Sequence, residues 1–418
     1  MATDALETTF RREWPRILAA VIRFTGSLEL AEDSVQEAFA RAAASREREL
    51  LINPAAWVTT VAKRIAVDTV RRDARLRQRL PLLAVDDAPA PLGDSPAGDD
   101  RLGLLFATCT PELPPESRLA LALRFVCGVP TEEIADAMLV THTAMSARLT
   151  RAKRQIEREG IRFSPADDQE LLHRLDDVLS TIHLLFTIGH TVLVGEELAA
   201  TSITVTAIEL ARALRVLAPQ HLETAGVLSL LLLTDARSGT RVDDSGALVT
   251  LEHADRRTWN QREIREGLDL AAVALPGGGR FALEAGISGL HSQALDWSST
   301  DWMSICRLYD RLIERWPSPA AAMARVIARS FAYGPAVALD ELDALEPTLG
   351  GAASRNAIAA RADLLRRMGR VSDARAAYVR ARSFERNGPV RDYFGRRIDE
   401  LENRAPLNTE ARLEDDRH

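Results

Sequence analysis

Apolar residues recur at helical spacing along almost the whole chain, which predicts an all-α fold. The first predicted helix ends at Gly26-Ser27, where Ser27 is available to cap the helix that follows. Its apolar face comprises Trp14, Ile17, Leu18, Val21 and Ile22. The second helix has Val35, Ala38 and Phe39 on one side. Its other side holds acidic and amide residues, which either complement the helix macrodipole or form an interface.

The longest uninterrupted helical stretch runs from Asn53 to Arg79. Asn53 suits the N-cap and Pro54 suits the first helical position. An apolar stripe, formed by Val58, Val61, Ala62 and Ile65, lies largely opposite a row of basic residues, formed by Lys63, Arg64, Arg71, Arg72 and Arg75. Only Asp68 offsets the repulsion along this row, so the row suits a polyanion such as a phosphate backbone. A solvated Arg-rich face is the alternative.

Residues 81–101 are rich in Pro, Asp and Ala and have no helical period, which predicts a flexible acidic linker. The helical period returns at Leu102, and an apolar helix, RLALALRFVC, stops at Gly128.

Residues 131–159 have the pattern of a helix-turn-helix. Thr131 starts a short helix, Leu139–Thr141 form the turn, and a second helix ends before Gly160. Its apolar residues, Met145, Leu149 and Ile156, can face the first helix. The second helix would then present six polar or basic residues to a DNA major groove and its phosphates. These are His142, Ser146, Arg148, Arg151, Lys153 and Arg154. A helix pair that binds no DNA gives the same pattern.

The remaining chain is longer than this DNA-binding half and has the pattern of a helical solenoid. Apolar-rich helices are predicted at 171–188, 202–217 and 221–233. The clearest repeat joins Ala357–Met368 to Ser372–Arg382 through Gly369-Arg370, in the manner of a tetratricopeptide helix pair. Trp302–Trp316 and Ala320–Ala332 form a more diverged pair.

Composition limits the function further. The formal net charge of -7 restricts nucleic-acid contacts to local basic patches. The three cysteines are odd in number and lack CxxC spacing, so they support neither a disulfide framework nor a zinc ribbon. Because no apolar run reaches membrane-spanning length and no signal peptide pattern is present, we expect a cytoplasmic protein without membrane contact.

The sequence offers no convincing catalytic, metal or cofactor site. Pro276–Arg280 lacks the spacing of a phosphate loop, and we expect a hinge there. His183 and His190 have no third ligand nearby. The sequence shows neither a nucleophile elbow nor a pair of carboxylates, so no catalytic residues can be named for an enzyme. The polar and aromatic residues of 255–259 either bind a ligand or peptide or clamp a loop.

Several motifs together carry a family resemblance. AEDSVQEAFARA, the Pro54–Trp57 segment and the helix with Arg71-Arg72 resemble region 2 of extracytoplasmic-function sigma factors, within the sigma-70 family. RLALALRFVCGVPTEEIADAM and ARLTRAKRQI are similar to region 4. The tail resembles the extension of a subgroup with tetratricopeptide-like C-terminal domains. The chain departs from these relatives at Ala144, Ser146 and Leu184–Val192.

The resemblance implies roles for individual residues. Asp33, Gln36 and Glu37 would contact core RNA polymerase. The basic helix would read and melt the −10 promoter element, where Trp57 either stacks on an extruded base or packs in the core. The helix-turn-helix would read the −35 element. In this family the linker threads near the polymerase active centre, and a plain tether is the alternative.

The resemblance thus implies a transcription initiation factor with four parts. These are region 2 over 1–80, a linker over 81–101, region 4 over 102–163 and a helical C-terminal domain over 164–418. Its partners would be core RNA polymerase and promoter DNA, with a regulatory protein or ligand on the C-terminal domain, and no cofactor. The alternative is a DNA-tethered helical-repeat scaffold, or a helix-turn-helix regulator, that does not bind core polymerase.

Overall fold

The computed structural model describes residues 2–44, 53–78, 100–138, 140–160, 168–191, 197–243, 245–349, 351–385 and 388–404. Over these residues the fold is all-α, apart from one isolated β-bridge between Val242 and Leu248. This confirms the fold class that the apolar spacing predicts. Almost all of the predicted linker lies outside the described residues. In the part that is described, no helix is both long and apolar enough to cross a membrane.

The first of two compact units covers Met1–Val192 and Leu198–Ala218. Its helices are α1 (Ala2–Thr25), α2 (Leu28–Ala44), α3 (Pro54–Gln78), α4 (Asp100–Thr108), α5 (Pro115–Leu121), α6 (Thr131–Ala137), α7 (His142–Arg158), α8 (Asp168–Thr191) and α9 (Glu197–Leu217).

Helices α1, α2 and α3 pack against one another as a three-helix group. The predicted apolar faces meet in its core, where Trp14 lies 5.9 Å from Phe39 between ring centroids and Ala62 is fully buried. The turn between α1 and α2 lies at Gly26-Ser27, where the sequence predicts it. Gly26 has φ 69°, and the Ser27 hydroxyl accepts a hydrogen bond from the Leu30 amide at 3.3 Å.

Helices α4 to α7 form the second group, which contains the predicted helix-turn-helix in α6 and α7. Helix α5 continues as a π-helical turn over Ala122–Val126, and Gly128, at φ 72°, ends it. The Thr141 side chain caps α7 by accepting from the Ala144 amide at 3.2 Å. Helix α7 ends just before Gly160, as predicted.

Helices α8 and α9 belong to the first compact unit, although the predicted domain limits place them in the C-terminal domain. Helix α8 packs on α4 and α5, and Asp177 forms an ion pair with Arg118 of α5. Its fully buried apolar residues are Leu175, Val178, Leu179, Ile182 and Leu185. On α9, Glu209 accepts from the buried Arg101 at 2.7 Å. These contacts extend the first unit to Ala218.

The second compact unit comprises Leu193–Glu197 and Pro219–His418. Its helices are α10 (Leu222–Asp235), α11 (Gln261–Ala274), α12 (Arg280–Gln293), α13 (Trp302–Arg315), α14 (Pro319–Ala332), α15 (Pro335–Leu345), α16 (Gly351–Arg367), α17 (Val371–Phe384) and α18 (Gly388–Arg404). Consecutive helices pack against each other throughout. The predicted late pair corresponds to α16 and α17, which are joined through Gly369 at φ 74°.

The glycine-rich segment at Pro276–Arg280 forms the turn that leads into α12. The carboxylate of Glu223, on α10, accepts from the Phe281 amide at 2.7 Å and the Ala282 amide at 3.0 Å. A Cβ at position 279 would lie 2.4 Å from this carboxyl group, so glycine is needed there. A protein carboxylate therefore fills the position that a phosphate takes at a helix N-terminus.

We expect Glu223→Ala to lower the free energy of unfolding of the second unit by about 1–3 kcal/mol, because two amides of α12 lose their acceptor. Urea unfolding followed by circular dichroism measures the change. The matched control is Glu314→Ala, which removes an exposed carboxylate of α13 and should be nearly neutral. Equal effects of the two substitutions would contradict this role for Glu223.

Candidate nucleic-acid interface

The basic residues of α3 lie on its exposed side. Arg64, Arg71 and Arg72 are exposed, and Lys63 is half-buried with its Nζ 5.7 Å from the ring centroid of Phe24. The side chain of Arg75 lies outside the described residues. On the opposite side, the fully buried residues are Val58, Ala62 and Ala66. Of the predicted apolar stripe, Val58 and Ala62 are buried, whereas Val61 and Ile65 are half-buried.

Trp57 lies in the first turn of α3 and is half-buried. Its partial burial decides between neither of the two predicted roles, which are stacking on an extruded base and packing in the core.

The second candidate surface is on α2, where Asp33, Gln36 and Glu37 are all exposed. Glu37 pairs with Arg41 one turn later at 2.8 Å, and the Gln36 amide donates to Glu32 at 3.4 Å. The pairs are local to the helix, and ion pairs as exposed as Glu37–Arg41 are weak. The three polar side chains thus remain accessible to a partner.

Helix α7 presents the third surface. Its buried residues, Met145, Leu149, Ala152 and Ile156, hold it in the first unit, as the sequence predicts for three of them. His142, Arg151 and Arg154 are exposed, whereas Ser146 and Arg148 are half-buried. The exposed side of α7 therefore carries basic groups at spacings that can follow a DNA groove.

Lys153 is placed differently from the other basic residues of α7. Its side chain is 23% exposed, and Nζ lies 2.9 Å from a carboxylate oxygen of Glu32, on α2. The structure therefore brings together a residue assigned to DNA contact and the helix assigned to polymerase contact.

Glu32 is the residue that sequence reasoning missed, because it was grouped with its polar neighbours on α2. It is only 8% exposed, and its carboxylate pairs with both Lys153 and Arg124, the latter at 3.3 Å. A signal was present in the sequence. Glu32 stands at helical spacing between Leu28 and Val35, on the buried face of α2.

The cysteines of the first unit are buried and unreactive. Burial raises the pKa of the Cys109 and Cys127 thiols to about 12 each, so both stay protonated at neutral pH. Cys109 donates to the Thr181 hydroxyl at 3.1 Å. Among the described residues, no group of His, Cys, Asp and Glu side chains is arranged to hold a metal ion.

The polar and aromatic cluster at 255–259 clamps a loop of the second unit. Arg256 is buried and donates to the carbonyl groups of His291 at 2.8 Å and Ala294 at 2.9 Å. The indole of Trp259 donates to Thr240 at 3.0 Å. Burial, together with nearby arginines, lowers the pKa of His291 to about 3, so this histidine is neutral at physiological pH.

Comparison with known proteins identifies three matched segments. Residues 9–76 match Sigma-70 region 2, residues 104–156 match Sigma-70, region 4, and residues 174–275 match a family of unknown function, DUF6596. The first two matches cover α1 to α3 and α4 to α7. The third begins in α8 and ends after α11. No solved structure matches the chain significantly.

Relatives of two kinds are found. Uncharacterized protein R00370 of Rhizobium meliloti is 35% identical over 399 residues, which is 93% of each chain. ECF RNA polymerase sigma factor SigJ of Mycobacterium tuberculosis is 27% identical over 186 residues, covering 40% of this chain and 59% of the relative. ECF RNA polymerase sigma factor SigE of Mycolicibacterium smegmatis is 28% identical over 157 residues, covering 37% and 61%.

The two named sigma factors are therefore similar to less than half of this chain, whereas the rhizobial protein is similar over nearly all of it. Region 2 and region 4 are both matched, with region 2 first in the chain. The chain therefore belongs to the sigma-70 family of sigma factors.

Proposed function

We propose that the protein is an extracytoplasmic-function sigma factor that binds core RNA polymerase through α2 and directs it to promoters through α3 and α7. The observation that carries the proposal is the pair of region 2 and region 4 matches, combined with exposed polar residues at the expected positions of all three helices. Its family is one of non-enzymatic initiation factors. It works where the polymerase is, in the cytoplasm.

The proposed polymerase contact consists of Asp33, Gln36 and Glu37. The proposed −10 contact consists of Lys63, Arg64, Arg71, Arg72 and Arg75, and the proposed −35 contact consists of His142, Ser146, Arg148, Arg151, Lys153 and Arg154. Phosphate contacts position a protein on DNA, whereas base-edge contacts set its sequence preference. The exposed Arg71 and Arg72, at the far end of α3, suit the first role. Arg148, in the middle of α7, suits the second.

The proposal extends to the C-terminal part, as a regulator of the N-terminal half. Its support is that α8 and α9 follow region 4 in the chain and belong to the same compact unit, where Glu209 of α9 pairs with Arg101 of α4. A large helical array also offers surfaces for a protein or ligand.

Replacing Asp33, Gln36 and Glu37 together with Ala should abolish promoter-dependent transcription and capture of core polymerase, because the exposed groups of α2 are lost. Capture of purified core polymerase by the tagged protein measures this. Glu29→Ala, an exposed carboxylate at the start of the same helix, is the matched control. Undiminished capture by the triple variant would remove the assignment. DNA binding by a protein that never captures polymerase would favour the scaffold alternative.

Arg71→Ala should weaken binding to all promoter sequences about equally and reduce the slope of log affinity against log salt by about 1. Arg148→Ala should instead change the preference among −35 sequences. Titration of polymerase-bound protein with labelled promoters at several salt concentrations separates the two effects. A change of sequence preference in Arg71→Ala with an unaltered salt slope would contradict its role.

Deletion of Pro219–His418 should leave the first unit folded and change promoter-dependent transcription about fivefold or more in either direction. Deletion of Asp168–His418 should give an insoluble or unstable protein, because the apolar residues of α4 and α5 covered by α8 become exposed. Solubility, thermal melting and transcription in vitro measure both. Full-length activity in the shorter deletion would show that the tail does not regulate the sigma half.

A further inference from the structure

The second unit contains a cavity of about 460 Å³ that is lined by α11, α12, α13 and the turn after α11. Its volume lies within the range of roughly 300–1,000 Å³ that small-molecule sites occupy. Exposed residues at its rim, among them Ala272 and Gln293, show that it opens to solvent. Its walls include four half-buried leucines, Leu268, Leu275, Leu290 and Leu308. The cavity therefore offers an accessible apolar interior.

Two buried glycines of α12, Gly286 and Gly289, also line the cavity. A Cβ at position 286 would lie 2.8 Å from the side chain of Leu275, and a Cβ at position 289 would lie 3.2 Å from that of Leu268. Glycine inside a helix is unfavourable relative to alanine, so a packing reason is needed for each. Because a side chain at either position would displace a leucine of the walls, the shape of the cavity depends on the two glycines.

Two arginines of α13, Arg307 and Arg311, bring positive charge to this apolar cavity. They stand one helical turn apart, and both line the cavity and are exposed. Within the described residues neither forms an ion pair with a carboxylate. Arg307 donates to the Ser304 hydroxyl at 2.7 Å, while Asp301 caps α13 by accepting from the Ser304 amide at 2.9 Å. Like charges at this spacing repel each other, and an anion bound between them would relieve the repulsion.

The Arg311 side chain reaches from α13 to the turn before α12. Its Nη2 atom lies 3.0 Å from the position that a Cβ of Gly278 would occupy, and Gly278 has φ 59°. A larger residue at position 278 would therefore meet the guanidinium as well as a strained backbone. The close approach places the Arg311 charge at the edge of the cavity, beside the turn that joins α11 to α12.

The chemistry of the lining selects the class of ligand. Guanidinium groups bind a carboxylate or a phosphate through charge-assisted, often bidentate hydrogen bonds. The leucines gain free energy only if an apolar group removes their surface from water. An inorganic anion would leave the leucines hydrated, and a neutral hydrocarbon would leave the arginines without a partner. A molecule that has an acid group at one end and an apolar tail satisfies both parts of the lining.

We propose that the second unit binds a small amphiphilic anion in this cavity. The acid group lies beside Arg307 and Arg311, and the apolar tail packs against the leucines of α11, α12 and α13. A straight-chain fatty acid of medium length represents the class. The inference goes beyond the proposed function, because neither polymerase nor DNA takes part in the binding.

Isothermal titration calorimetry of the full-length protein tests the proposal, with decanoate as the probe at concentrations below those at which it forms micelles. Acetate carries the acid group alone, and decanol carries the apolar tail with a neutral head. We expect one decanoate to bind per chain and acetate to show no saturable binding. Decanol should bind about tenfold more weakly than decanoate or worse, because it cannot form the charge-assisted hydrogen bonds.

Two pairs of variants locate the site. Arg307→Gln combined with Arg311→Gln should weaken decanoate binding by about tenfold and leave decanol binding unchanged. Arg315→Gln, which removes an exposed charge one turn beyond Arg311 and outside the lining, is its control. Ala272→Trp places a large side chain at the exposed rim and should abolish binding of both probes. Val273→Trp changes the neighbouring exposed residue, which does not line the cavity, and should bind as the parent does.

Three results would overturn the inference. They are the absence of saturable decanoate binding, binding that a folded Ala272→Trp protein retains, and equal affinities for decanoate and decanol. If thermal melting shows Ala272→Trp to be unfolded, Gln293→Trp, at another exposed position of the rim, takes its place and must abolish binding. Each of these results leaves capture of core polymerase unaffected, so failure here is distinguishable from failure of the sigma assignment.

Discussion

The first unit depends on one buried carboxylate. Glu32 sits on the apolar face of α2, where an unpaired charge would cost several kcal/mol. Its partners, Arg124 and Lys153, both belong to the region 4 group. Helix α2 can therefore keep this residue buried only while the two groups remain in contact. The packing of α2 against α7 and the stability of the α2 environment are thus linked through the same ion pairs.

Local chemistry explains why so much of the fold follows from the sequence. Gly26, Gly128 and Gly160 all adopt positive φ at the helix ends where they were expected. Met145, Leu149 and Ile156 are buried, as their spacing on α7 predicts. Each of these signals depends on a few consecutive residues. The same holds for the late helix pair, whose glycine turn is visible in the sequence.

The pairings that organise the first unit lie far apart in the chain, and no local pattern reveals them. The sequence does not predict the pairing of Glu32 with Lys153, since a charged residue on a helix has the same local pattern whether it faces water or a distant partner. The predicted polymerase contact and the assignment of each helix to a promoter element depend on family resemblance for a similar reason. An Arg-rich helix face has the same sequence pattern whether it contacts solvent or phosphate groups.

The packing of α8 and α9 on the first unit also bears on how such a protein is inherited. If recombination exchanged tails near residue 164, α8 would be separated from the helices on which it packs. Its buried residues Leu175, Val178 and Leu179 would then lose their packing partners. A joint near Ala218 and Pro219 would cut between compact units instead. The matched segment over residues 174–275 nevertheless crosses that joint, so α8 to α11 recur together as one inherited segment even though they belong to two compact units.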